Sequence, residues 1–215
     1  VVRARYHRIM TDASADEPRT RGRYAKGIAR RQEILDKAIE VFAERGSKKT
    51  SLRAIAQEVG VTHAALTHYF GSLEELLVAV YRESERRSDT ENPDPPAGIS
   101  PAMMMRVSAE ENRSIPGLVQ LYSILVATAL EEDHPAAHEF ATQRFERLRQ
   151  DMADRVRDLQ RTGDLRPDLD AALVSALVIA ASDGLQTQWL LDPSVDHEAA
   201  LEMLDRLLAG DRPAR

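Results

Sequence analysis

The chain has 215 residues, a net charge of −6, 43% apolar and 30% charged side chains, 10 Gly, 10 Pro and no Cys. That is enough apolar material for one large or two small domains with a buried core, and too little Gly and Pro for a collagen-like or low-complexity polymer. Without cysteine, disulfides, thiolate metal sites and cysteine nucleophiles are excluded.

The charge is divided along the chain. Residues 1–87 carry 17 Lys and Arg against 12 Asp and Glu, and residues 88–215 carry 12 against 23. This implies an anion-facing N-terminal part beside an acidic, solubilising C-terminal part; the plainer reading is a basic tail that skews the count. Residues 1–26 read as a basic, flexible leader. Arg3, Arg5 and Arg8 precede Met10 with no hydrophobic segment, unlike a secretory signal. The longest apolar runs, Gly117–Leu130 and Ala171–Ser182, fall short of the ~20 residues of a membrane span. A cytoplasmic protein that does not engage a membrane is expected.

Ile34, Leu35, Ala38, Ile39 and Phe42 recur at spacings of three and four, which predicts a helix over 27–45 that stops at Gly46. Thr50 and Ser51 offer acceptors for the first amides of a short helix ending near Val59 and Gly60. Thr62 caps a third helix through Tyr69, and Ser72 with Glu75 forms a capping box that opens a fourth over 73–88. The Pro-rich stretch 89–100 is a linker or loop. Beyond it, Pro116, Pro135, Gly163 to Pro167 and Pro193 divide the chain into helices at 101–113, 116–131, 135–162, 169–191 and 196–209, and residues 210–215 form a tail. No period-two alternation supports a strand, and no repeat of twenty to fifty residues appears. The fold class is all-α.

Leu52 to Phe70 carries the most specific pattern. Two short helices cross steeply only where the contact residue is small, the turn accepts a positive backbone angle and the inner positions are apolar. Ala56 is the small residue, Gly60 the turn, and Ile55, Val59, Val61 and Leu66 the inner positions. This is a helix-turn-helix pattern; the structural alternative is a small helical bundle with a tight corner. The first turn of the second helix fits the major groove and offers amides toward phosphate. Thr62, His63, Ala64 and Thr67 are short or flat enough to approach base edges, and Ala64 and the threonine methyls suit thymine methyl groups.

The run from Arg31 through Gly46, then Thr50-Ser51-Leu52-Arg53-Ala54-Ile55-Ala56, Gly60-Val61-Thr62, Leu66 and His68-Tyr69-Phe70, resembles the DNA-binding domain of TetR-family transcriptional regulators across residues 28–80. The C-terminal part resembles the family more loosely, through its helical layout and Asp183-Gly184-Leu185 to Trp189-Leu190-Leu191-Asp192-Pro193. The resemblance implies an N-terminal three-helix helix-turn-helix domain over 27–88 and a C-terminal helical ligand-binding and dimerisation domain over 101–209. It places His63, Ala64 and Thr67 at base-reading positions and Thr50, Ser51, His68 and Tyr69 at phosphates, with Lys48, Lys49 and Arg53 adding charge. Family members often carry Lys where this chain has His63 and Leu73, which puts two contacts in doubt. The basic stretch Arg19, Arg21, Arg23, Lys26, Arg30 and Arg31 compensates if it enters a minor groove; otherwise it is a solvated leader.

One reading helix gives too little specificity, so a second copy about 34 Å away and a near-palindromic operator are expected. Leu173, Leu177, Val178, Ala181 and Leu185 form an apolar surface suited to a homodimer interface, or to intramolecular core. By resemblance, the end of the 135–162 helix joins it. The family's second domain encloses a small-molecule pocket, and Met103, Met104, Met105, Leu118, Leu121, Tyr122, Leu125 and Trp189 are its candidate lining, with ordinary core packing as the alternative for each.

His134 and His138 share a helix face, but Pro135 at a first helical position makes His134 a cap, and no metal or cofactor is expected. No Gly-x-Ser-x-Gly elbow, Gly-rich phosphate loop or His-Glu-x-x-His pair occurs, so an enzyme is not expected. The reading is a DNA-binding regulator, a repressor released from its operator by a small molecule. The alternative is a helical dimer with a protein-binding or enzymatic C-terminal domain and a vestigial DNA-binding domain.

Overall fold

The computed structural model describes residues 18–45, 56, 57, 59–91 and 98–209. The first helix, α1 (Pro18–Arg45), buries Ile34, Leu35, Ala38 and Phe42, the stripe expected from spacing. It starts nine residues before the predicted 27, so the flexible leader drawn to residue 26 is corrected: helix begins at Pro18. Residues 18–26 lack an apolar stripe, but proline is tolerated in the first helical turn, and Arg, Ala and Lys are good helix formers.

A short helical stretch holding Ala56, Gln57 and Val59 precedes α2 (His63–Phe70), which is followed after two residues by α3 (Leu73–Glu91). The end of α3 at Glu91 carries helix into the stretch read as linker from 89. Three helices then begin with proline, α4 (Pro101–Asn112), α5 (Pro116–Thr128) and α6 (Pro135–Thr162), where the missing N–H has no helical partner to lose. The described residues close with α7 (Ala171–Leu191) and α8 (His197–Leu208), capped by the carboxylates of Asp170 and Asp196. Among the described residues there is no strand, only an isolated bridge between Leu165 and Ala209. No described helix is long and apolar enough to cross a membrane.

The apolar residues form two clusters, and the linker does not separate them. One joins Ile34 and Phe42 of α1, Leu66 of α2 and Leu76 of α3 to Leu121 of α5 and Phe140 of α6. The other joins Ala102 of α4 to Met152 and Val156 of α6 and Val178 of α7. Helix α6, with 28 residues, is about 42 Å long and reaches both. Its N-terminus is tied to α3: the Glu74 carboxylate accepts from the Ala137 N–H at 2.6 Å and lies 3.2 Å from His134 Nδ1. His134 is the capping residue, as its place before Pro135 predicts, but its side chain makes no capping bond. The acceptor comes from α3, sixty residues away in sequence.

Of the residues offered for a dimer surface or for intramolecular core, Val178 is 0% exposed and fills the core of its own chain, which corrects its assignment to the dimer surface. Leu118, Leu121, Tyr122 and Leu125, the candidate pocket lining, are buried in the cluster that unites α1, α3, α5 and α6.

Candidate nucleic-acid interface

The turn before α2 is fixed by backbone bonds. Gly60 N–H donates to Gln57 O at 3.3 Å and Val61 N–H to Ala56 O at 2.8 Å, the paired bonds that close a helix through a left-handed residue. Gly60 adopts φ 72°, a conformation costly for any residue with a Cβ. Ala56, buried beside it, is the small residue expected at the crossing. Thr62 then caps α2, its Oγ1 accepting from Ala65 N–H at 3.1 Å. Helix α2 ends at Gly71, φ 77°, where a Cβ would collide with the Glu75 carboxylate.

With the ends fixed, the orientation follows from two anchors. Leu66 and Phe70 are buried, and the Arg31 guanidinium of α1 lies 4.7 Å from the Phe70 ring centroid. The residues on the opposite side point away: Thr62, His63, Ala64, Thr67 and His68 are all exposed. Tyr69 is half-buried against the core and meets the His68 ring edge-on at 5.2 Å. The base-reading candidates therefore lie together on one free face.

Hydrogen bonding refines what each can offer. The Thr67 hydroxyl donates to His63 O at 3.1 Å, which leaves its oxygen as an acceptor and its methyl exposed. The Thr62 oxygen is occupied by Ala65 N–H, so its own proton remains to donate. A face with an exposed imidazole, two methyls besides Ala64 and one donor and one acceptor hydroxyl matches the mixed apolar and polar edges of the major groove. Lys48, Lys49, Thr50, Ser51 and Arg53, assigned to phosphates, lie outside the described residues. Of the basic stretch before them, Lys26, Arg30 and Arg31 are exposed on α1, with Arg30 paired to Glu33 at 2.6 Å.

The helix behind the interface is locked by a charged network absent from the sequence reading. Glu83 of α3 accepts from Arg86 at 2.8 Å, Arg87 at 3.1 Å and Gln32 of α1 at 2.8 Å, while Arg87 also pairs with Asp36 of α1. The hydrogen bond from Arg86, reinforced by Arg87 and Gln32, outweighs burial and pulls the Glu83 carboxyl down to about 2. A second unforeseen pair is buried further along: the Tyr122 hydroxyl donates to Asp183 Oδ2 at 2.9 Å, and burial raises both groups. Only the Asp183-Gly184 step in the C-terminal resemblance pointed toward that position.

The remaining candidates scatter. Met103 and Met104 are half-buried on α4, and Trp189 packs at 5.3 Å from the ring of the buried His197. Neither of two surface clefts beside α3 is lined by any predicted pocket residue. On α7, Leu173 and Leu177 are 66% and 64% exposed, and Ala181 and Leu185 are half-buried.

Residues 34–80 match a family model described as bacterial regulatory proteins, tetR family, and residues 124–210 match the C-terminal domain of BetI-type transcriptional repressors. The transcriptional regulator UidR of Escherichia coli K12 is 25% identical over 174 residues, 72% of this chain and 79% of its own length. Among solved structures, NalD of Pseudomonas aeruginosa, described as the secondary repressor of the MexAB-OprM multidrug efflux pump, is 23% identical with a TM-score of 0.62, covering 85% of this chain and 98% of its own. SmeT in complex with triclosan is 21% identical with a TM-score of 0.62, covering 87% and 99%.

Proposed function

Because this chain belongs to the TetR family of transcriptional regulators, a family of ligand-responsive repressors, we propose that it binds a near-palindromic operator as a homodimer through the exposed face of α2 and leaves it when a small molecule is bound. The observation that carries this is the division of α2 itself: Leu66 and Phe70 are buried while His63, Ala64, Thr67 and His68 are free. His63, Ala64 and Thr67, with the Thr62 hydroxyl, read base edges. His68 and Tyr69 grip phosphate, joined by Lys48, Lys49, Thr50, Ser51 and Arg53.

Dimerisation supplies the second reading helix. Leu173 and Leu177 stand one helical turn apart on the outer face of α7, continued by the exposed Ala180 and Gly184. Small residues there let a symmetry mate approach closely, and Ala181 and Leu185 flank the stripe. We place the protein in the cytoplasm, where its DNA target is, and assign it no catalytic step. Nothing in the comparisons favours an enzymatic C-terminal domain.

Fluorescence anisotropy with DNA from the intergenic region next to its own gene, measured with and without unrelated competitor, tests the reading. His63→Ala and Thr67→Ala should each weaken specific binding by about 1–3 kcal/mol and leave nonspecific binding nearly unchanged. Equal losses on specific and unrelated DNA would show that these side chains do not read bases.

A further inference from the structure

A cleft of about 450 Å³ lies between the middle of α3 and the first half of α6. Helix α3 contributes Arg82, Glu85 and Arg86, and α6 contributes Phe140, Gln143, Arg144 and Arg147. Four guanidinium groups thus surround a single carboxylate, in a protein whose net charge is −6. The concentration of positive charge matters because a concave site with low-dielectric walls focuses the field of its lining charges.

The arginines are not equivalent. Arg144 forms the base: Nη1 pairs with Glu85, and the guanidinium lies 4.8 Å from the Tyr122 ring and 5.5 Å from the Tyr81 ring. Its Nε is buried with no hydrogen-bond partner. Arg86 is held by Glu83. Arg147 stands 3.9 Å from Glu85, which Arg144 already engages. Arg82 donates to an uncharged acceptor, Gln143 Oε1, at 3.1 Å and lies 5.8 Å from the Phe140 ring. Gln143 in turn donates to Glu139 at 2.9 Å, so its amide is oriented with the carbonyl toward Arg82. Four other carboxylates stand close by: Glu75, Glu83 and Glu139 line a neighbouring cleft on the α1 side that shares Arg82 and Arg86, and Asp183, bonded to the Tyr122 hydroxyl, lies behind Arg144; none of them lines this cleft.

We propose that this cleft is an oxyanion site for a small organic anion, whose carboxylate or phosphate is held by Arg82 and Arg147 with Arg144 behind them. Planar guanidinium forks suit either group through paired hydrogen bonds. The position gives the anion a route to the DNA interface. Helix α3 is separated from α2 by two residues, and Glu74 near its start holds the N-terminus of α6. An anion bridging Arg82 and Arg147 favours one arrangement of α3 against α6 and thereby biases the orientation of α2, to the extent that it binds that arrangement more tightly. The inference rests on the ligand-responsive regulator reading and names the chemical class of the ligand.

The test is thermal melting of the full chain in sodium phosphate, sodium benzoate or sodium chloride at equal ionic strength, with neutral benzamide as the uncharged match of benzoate. The wild type should show a saturable rise in Tm with phosphate or benzoate beyond that in chloride, and none with benzamide. The oxyanion that acts distinguishes a phosphate site from a carboxylate site. In Arg82→Gln/Arg147→Gln the half-saturating concentration should rise about tenfold or more, as expected for loss of charge-assisted hydrogen bonds. Arg149→Gln, an exposed position on the same helix, should behave as wild type. Arg147→Gln alone, at a side chain 61% exposed, keeps the test open if the double variant does not fold. General salting effects appear equally in every variant, so identical curves for wild type and the arginine variants would overturn the site. Operator binding measured on the same samples separates the two readings. Binding to DNA without an arginine-dependent anion effect refutes the site alone, and failure to bind any operator refutes the regulator reading.

Discussion

Replacing Leu173 and Leu177 with glutamate should dissociate the dimer without unfolding the subunit. Both side chains are about two-thirds exposed in the single chain, 66% and 64%, so their removal opens no cavity. Full burial of a leucine is worth about 1.5–3 kcal/mol, and covering the exposed two-thirds therefore yields about 1–2 kcal/mol per residue. In a two-fold interface each substitution occurs twice, so the pair removes about 4–8 kcal/mol before charge repulsion is added. That corresponds to a dissociation constant raised by about three orders of magnitude or more. Sedimentation equilibrium across a dilution series reads this directly, with far-UV circular dichroism to confirm that the helices remain. Leu130→Glu is the control: Leu130 is 86% exposed but lies in the turn between α5 and α6, off the stripe. If Leu173→Glu/Leu177→Glu stays as dimeric as Leu130→Glu, the outer face of α7 is not the interface.

Glu83→Gln should be less stable than wild type at neutral pH, with the difference shrinking in acid. The folded carboxyl is held at about 2 against an ordinary 4.5, so its contribution is present above 4.5 and is lost as pH falls toward 2. Melting temperatures of both proteins from pH 7 to 3 check this, and a constant gap would mean the Arg86, Arg87 and Gln32 contacts do not set the carboxyl. Gly60→Ala should lower stability by about 1–2 kcal/mol, because φ 72° is strained for alanine although no atom lies within 4 Å of the added Cβ. Urea denaturation giving no loss would indicate that the turn relaxes to another conformation.

Much of the exposed face of α2 was legible because its signals are local. Thr62, Gly60 and the Leu66 to Phe70 spacing specify a cap, a stop and a buried edge within a dozen residues, and those alone determine that His63, Ala64 and Thr67 face outward. The start of α1 was missed because an amphipathic stripe marks where a helix packs, not where it begins. Sequence leaves Val178 open between dimer surface and core for a related reason: neighbouring helical residues differ by about 100° in direction, and α7 is apolar on both faces. Only packing shows that Val174 and Val178 face inward and Leu173 and Leu177 outward.

Long-range charge was the least legible feature. Arg82 and Arg86 look like the solvated face of α3, and Arg144 and Arg147 like that of α6, until the two helices are brought together. Glu74 carries no sign in the sequence that it caps a helix starting at residue 135. Leu118, Leu121 and Leu125 suit a ligand pocket or a core equally well as isolated apolar residues, and only the fold shows that they pack in the cluster shared with α1 and α3.

The most direct measurement is a footprint of the wild-type protein on the intergenic DNA beside its gene. Two protected half-sites related by a dyad, with centres about 34 Å or a multiple of that apart, are predicted, and both should fade together in His63→Ala and Thr67→Ala. Uniform protection with no preferred sequence, or one half-site untouched by either substitution, would contradict the assignment of α2 as the reading helix of a symmetric dimer.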